Sequence, residues 1–224
     1  MMNELQPADR NGNSARDLDA LLAAVSRCRI CVERPHGRPL PHEPRPVLRA
    51  SSTARIMVCG QAPGTRVHAS GAPFTDPSGM RLRQWMGIGE GVFYDTAKVA
   101  VVPMGFCFPG LDAKGSDLPP RRECAATWHD GLFSLVPHSG IIIALGTYAQ
   151  RYHLARLGAS ELLRPTLHET VANWRPIHAA TGVMPMPHPS WRNNAWIRRN
   201  PWFDDELVPV VRAEVSRILA SEAP

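Results

Sequence analysis

The sequence predicts an α/β fold of three layers, α/β/α, with helices on both faces of a central, mainly parallel four-stranded sheet. Three observations carry this. Short apolar runs of strand length occur at 55–60, 98–104, 140–145 and 182–186. Segments with helical spacing of apolar residues lie between and after them. Each run ends in glycine, proline or polar residues, and strands alternating with helices give a parallel sheet.

Taken in order, residues 1–16 are polar and predict a flexible arm, leaving 17–224 as one domain. A helix is expected from about Ala15 to Ser26, with Leu18, Leu21, Leu22 and Val25 on one face. The proline-rich stretch 35–46 cannot be regular structure. Residues 60–79 read as a long loop. Residues 80–87 read as a helix with Leu82, Trp85 and Met86 on one side. Further helices are expected over 147–157 and 204–220, with a loop from Pro187 onward. There is no internal repeat. Prolines number 22 in 224 residues, about twice the usual ~5%, which argues for long shaped loops.

Composition excludes other classes. No apolar run approaches the roughly 20 residues that span a bilayer. The polar N-terminus lacks a signal-peptide core, so the expected compartment is the cytoplasm, with nucleoid association in a bacterium. The net charge of +5 and pI near 9.3 suit a polyanionic partner without requiring one. Only Lys98 and Lys114 are lysines among the 25 basic residues; arginine suits bidentate phosphate contacts and stacking. Five cysteines in a reducing compartment point to a metal rather than to disulfides. A monomer is the default expectation.

In such folds the ligand crevice lies beyond the carboxyl ends of the strands. Three of the four junctions there, 60–79, 103–120 and 187–202, hold the unusual residues. Cys28 and Cys31 form a C-x-x-C pair, and Cys107 and Cys124 are separated by 16 residues. Four thiolates can ligate zinc or a [4Fe–4S] cluster, and spacing alone does not choose. Cys107 and Cys124 also read as incidental. Cys59, inside an apolar run, reads as a small buried hydrophobe.

Gly60-Gln61-Ala62-Pro63-Gly64 follows the first strand and precedes Gly71-Ala72-Pro73-Phe74-Thr75-Asp76-Pro77-Ser78-Gly79. His188-Pro189-Ser190 follows the last strand. In this order and context the set resembles the uracil-DNA glycosylase superfamily, and most of all its iron–sulfur branches, families four and five. There the first motif reads G-E-A-P-G or G-L-A-P-A, and the last begins H-P-S. Those branches also carry C-x-x-C, a long gap, and two more cysteines about 15 residues apart. Cys28, Cys31, Cys107 and Cys124 fit that pattern, so the resemblance implies a [4Fe–4S] cluster over zinc.

The resemblance implies a uracil-DNA glycosylase-like fold and base excision from DNA. Such an enzyme must flip its target nucleotide into a pocket. Phe74 would be the platform under the base, and Gly60, Ala62, Pro63 and Gly64 would line the pocket. His188 would donate a hydrogen bond to the departing base. Ser190 would hold a phosphate, while the 191–202 segment, with Arg192, Asn193 and Arg198, would contact DNA. Its interleaved aromatics and arginines also suit a protein contact.

Two positions depart from the pattern. Family four has a glutamate where this chain has Gln61, which can orient a water but cannot act as a base. Asp76 then becomes the expected carboxylate that activates water or stabilises the cationic sugar; its plain alternative is a turn-former before Pro77. Where family four reads the base edge with an asparagine, the matching residue is Pro103. Two expectations follow: backbone groups near Val102 to Gly105 read the base, or fewer directed hydrogen bonds give a broader range, including hypoxanthine, xanthine or ethenocytosine. No histidine occurs between Phe108 and Glu123, so covalent trapping through a histidine of that loop, as in one related group, is not expected. The second function class consistent with these departures is a non-catalytic nucleic-acid-binding iron–sulfur protein on the same scaffold. A third is an unrelated α/β enzyme with a structural zinc site.

Overall fold

The computed structural model describes residues 8–136 and 140–221. Four strands, β1 (Ile56–Cys59), β2 (Val99–Val101), β3 (Ile141–Leu145) and β4 (Val183–Met186), are buried at every position. They form one sheet in the order β2-β1-β3-β4, and every pairing is parallel. The strands are apolar throughout because both sheet faces are covered. Ile56, Val58, Val99, Val101, Ile141 and Ile143 face a layer holding Leu82, Trp85, Phe203, Val211 and Val215. Met57, Cys59, Ala100, Ile142 and Ala144 face Leu18, Val25, Leu132, Phe133 and Leu154. Helices on both sides complete the three layers. Pro185 is tolerated in β4 because that strand is an edge, where a missing N–H costs no ladder bond.

The chain leaves β1 for β2 on one side, and β3 pairs with β1 on the other. Order thus reverses at β1, and a crevice opens outside its carboxyl end.

The helices differ from the sequence reading in several places. The first helix spans Ala8–Ser26, so much of the expected arm is helical; residues 1–7 lie outside the described residues. A helix, Thr65–Ser70, interrupts the expected loop at 60–79. The next helix begins at Pro77 rather than Met80, because Asp76 caps it. The expected loop from Pro187 contains turns of helix at Trp191–Asn193 and Asn194–Arg199. A helical stretch at 122–135 was not foreseen. It passes through a π-helical turn, Ala125–His129, which breaks the 3.6-residue apolar period by which helices are read. No described helix is long and apolar enough to cross a membrane.

Candidate active site at the carboxyl ends of the strands

The first motif leaves β1 still paired with its neighbour. Val102 donates to the Val58 carbonyl, Met104 to Gly60 and Gly105 to Gln61, each at 2.9 Å. Pro103 sits between two of these bonds at a position whose N–H would point away, so its missing donor breaks nothing. It is buried beside the motif. Gly60 is buried, and a side chain on it would meet nothing within 4 Å, so space adjoins its backbone. Ala62 and Gly64 are half-buried and Pro63 buried. The Gln61 amide donates to the Leu118 carbonyl at 2.9 Å, which ties the first motif to the loop after β2.

Phe74 has φ of 57°, the left-handed region that a phenylalanine rarely adopts. Such strain persists only where surroundings impose it. Arg83 donates to the Phe74 carbonyl at 3.2 Å, and Tyr94 donates to the Pro73 carbonyl at 2.9 Å. The Phe74 ring meets Phe93 edge-on with centroids 5.9 Å apart. Gly79 closes the turn: a Cβ there would lie 1.8 Å from the Phe74 carbonyl oxygen. Asp76 Oδ1 accepts from the Gly79 N–H at 3.2 Å and caps the Pro77–Met86 helix.

His188 enters from the end of β4. Its ring lies 27° from parallel to Phe74, with centroids 6.4 Å apart. Burial lowers its pKa, outweighing the opposing pull of Asp76 and Asp117, so the imidazole is neutral at pH 7. Its carbonyl accepts from Asn193 Nδ2 at 2.7 Å, and the Ser190 carbonyl accepts from Arg81 at 3.2 Å. The buried Gln150 amide donates to the Met186 carbonyl at 3.0 Å, fixing the strand end that carries the loop. Phe74, Asp76 and His188, expected from sequence to act together, are therefore neighbours. Of the aromatics in 191–202, Trp196 and Trp202 pack inward against the core with Phe203. Trp191 is 75% exposed beside Arg192, and Arg198 is exposed.

The sequence reading missed Asp117. It lies on the return leg of a hairpin after β2, opposite Leu111. Its Oδ2 stands 3.6 Å from where a Cβ on Gly64 would be. Its side chain is exposed, and partial desolvation raises its pKa against the opposing pull of Arg192 and His188. Only its place in a junction loop could have marked it, and Asp112 shares that loop.

The four cysteines named as ligands share one neighbourhood. Cys31 and Cys124 are close enough to perturb each other, which lowers the Cys31 thiol pKa to about 7 and raises that of Cys124, and Cys107 is close enough to feel both Cys28 and Cys31. The Phe106 N–H donates to Cys124 Sγ at 3.4 Å. Beside them lies an ion pair, Arg121 to Glu123 at 2.6 Å, with the carboxylate side chain 3% exposed. Glu123 also accepts the His36 N–H at 2.7 Å, and Arg121 donates to the Arg38 carbonyl at 2.8 Å. This pair ties the segment after Cys31 to the helix bearing Cys124. Cys59 is apart, buried in β1, where desolvation pushes its thiol pKa up. Among the described residues no three histidine, cysteine, aspartate or glutamate side chains are placed so that they could hold a metal ion.

The carboxyl end of the parallel sheet thus gathers an aromatic ring, an imidazole and carboxylates. The family model described as "Uracil DNA glycosylase superfamily" matches residues 48–212. The chain belongs to the uracil-DNA glycosylase superfamily.

Proposed function

We propose that the chain is a monofunctional DNA glycosylase that hydrolyses the N-glycosidic bond of uracil, and of other deaminated or damaged bases, thereby initiating base excision repair. The observation that supports this most is the pair of facing rings, Phe74 and His188, brought from two separate motifs to one end of the sheet.

The chemistry follows from these positions. A flipped base stacks on Phe74, a contact worth roughly 1–3 kcal/mol that tolerates different bases. As the bond breaks, negative charge grows on the base and positive charge on the sugar. A neutral His188 donates a hydrogen bond to the base carbonyl, where a prealigned donor does most. Asp76, held by its helix cap, supplies fixed negative charge to the sugar side. Gln61 secures the flanking loop, and Gly60 to Gly64 let backbone approach the substrate. Exposed Arg192 and Arg198 and half-buried Ser190 and Asn193 lie along the segment after β4 and suit phosphate contacts, with exposed Trp191 placed to enter the stack.

The spacing of the four cysteines, like that of the iron–sulfur branches, supports reading the thiol neighbourhood as the site of a [4Fe–4S] cluster rather than zinc. A zinc ion needs four ligand atoms around one point, whereas each thiolate of a cluster binds a different iron. Cys28, Cys31, Cys107 and Cys124 would hold it, and the group would fasten the N-terminal segment to the loop after β2. A brown protein with iron and acid-labile sulfide near ~4 each per chain is the expected preparation. Cys28→Ser should lose the colour and the iron, and stoichiometric zinc in a colourless protein would refute the cluster.

The deciding assay is alkali-developed cleavage of oligonucleotides carrying one uracil, hypoxanthine, xanthine or ethenocytosine, in single and double strands. Asp76→Asn keeps a helix-capping side chain but removes the charge. Base release should fall about 10²-fold or more, with DNA affinity unchanged. Tight DNA binding without scission on any substrate would move the chain to the non-catalytic class.

A further inference from the structure

We infer that Asp117 is the general base for the attacking water, with Asp76 left as a fixed charge; this rests on the glycosylase reading above. Geometry leads to it. Asp76 spends one oxygen on the Gly79 N–H, whereas no hydrogen bond engages the Asp117 carboxylate among the described residues. Asp117 lies over Gly64 of the first motif and within the field of His188, so it shares the crevice with both.

Its position is also fixed. The Leu118 N–H donates to the Gly110 carbonyl at 2.9 Å. Asp112 Oδ1 accepts the Lys114 and Ser116 N–H groups at 2.8 Å, closing the hairpin tip. Gln61 then clamps the hairpin through the Leu118 carbonyl, one residue beyond Asp117. The glutamine thus holds beside the first motif a segment that brings its own carboxylate from the loop after β2.

The step balances as follows. The sugar C1′–N bond breaks and its electron pair stays on the base, which His188 steadies through a hydrogen bond. Water oxygen bonds to C1′, and one water proton passes to the Asp117 carboxylate. The base anion takes up a proton from solvent, and Asp117 returns its own. A general base works best when its pKa is drawn toward the working pH; the Asp117 side chain is exposed, and partial desolvation beside the first motif still draws it upward, against the opposing pull of Arg192 and His188.

The test is the pH profile of single-turnover uracil release. In the wild-type protein the rate should fall as pH is lowered and Asp117 protonates, with a midpoint above the ordinary aspartate value. Asp117→Asn should slow release by about 10²–10⁴-fold and flatten that acidic limb, while DNA affinity and circular dichroism stay unchanged. Asp117→Glu should restore part of the rate and the limb, whereas Asp76→Asn should keep the limb at a reduced rate. An active wild-type protein whose Asp117→Asn variant stays within about threefold and keeps the limb would overturn Asp117 alone. A wild-type protein that releases no base would overturn the glycosylase reading together with it.

Discussion

Replacing His188 by alanine is expected to slow base release by about 10²–10³-fold while leaving DNA affinity within about twofold. The reasoning is differential: the departing base carries its full negative charge only in the transition state, so a donor aimed at its oxygen acts there and not in the ground state. The imidazole is preorganised for this. Asn193 holds its backbone carbonyl, and burial keeps the ring neutral despite two nearby carboxylates. A neutral donor needs no change of protonation state as charge develops. Single-turnover kinetics beside fluorescence-anisotropy binding separate the two quantities; an equal loss in both would mean that His188 merely binds DNA.

The second large effect is expected at Gly79. Its added methyl in Gly79→Ala would sit 1.8 Å from the Phe74 carbonyl oxygen, and that oxygen is backbone, tied to Arg83. No side chain can swing aside to make room. The turn must therefore open, which moves Phe74 and withdraws the N–H that Asp76 accepts. Overpacking of this kind reaches the upper end of ~1–3 kcal/mol or beyond, and the chemical step should be lost with the platform. Urea unfolding reads the first effect and oligonucleotide cleavage the second. A variant of wild-type stability would show that the turn has slack.

Much of this site was legible in the sequence because motifs on parallel strands are gathered at one end by the topology itself. Once 55–60 and 182–186 were read as parallel strands, Phe74 and His188 could be expected at the same end of the sheet, although β3 lies between their strands. Asp117 was not legible, since its role depends on a hairpin set by Asp112 and on a contact from Gln61. Neither leaves a periodic trace. Trp196 and Trp202 misled for a related reason: alternation with arginine resembles a DNA-facing surface, yet the backbone there is helical and turns both rings inward. The early start of the first helix escaped because residues 8–16 carry polar side chains without an apolar stripe. Strand order, too, depends on packing partners rather than on any local signal.

The left-handed backbone at Phe74 has a bearing on engineering. A residue held at φ of 57° carries strain of order 1–3 kcal/mol, and glycine would relieve it at once. Glycine would also remove the ring. Stability and activity therefore pull this position in opposite directions. Directed evolution under heat alone has a reason to abandon the phenylalanine, and selection for repair has a reason to keep it. Position 74 thus records which demand a given lineage of variants has answered.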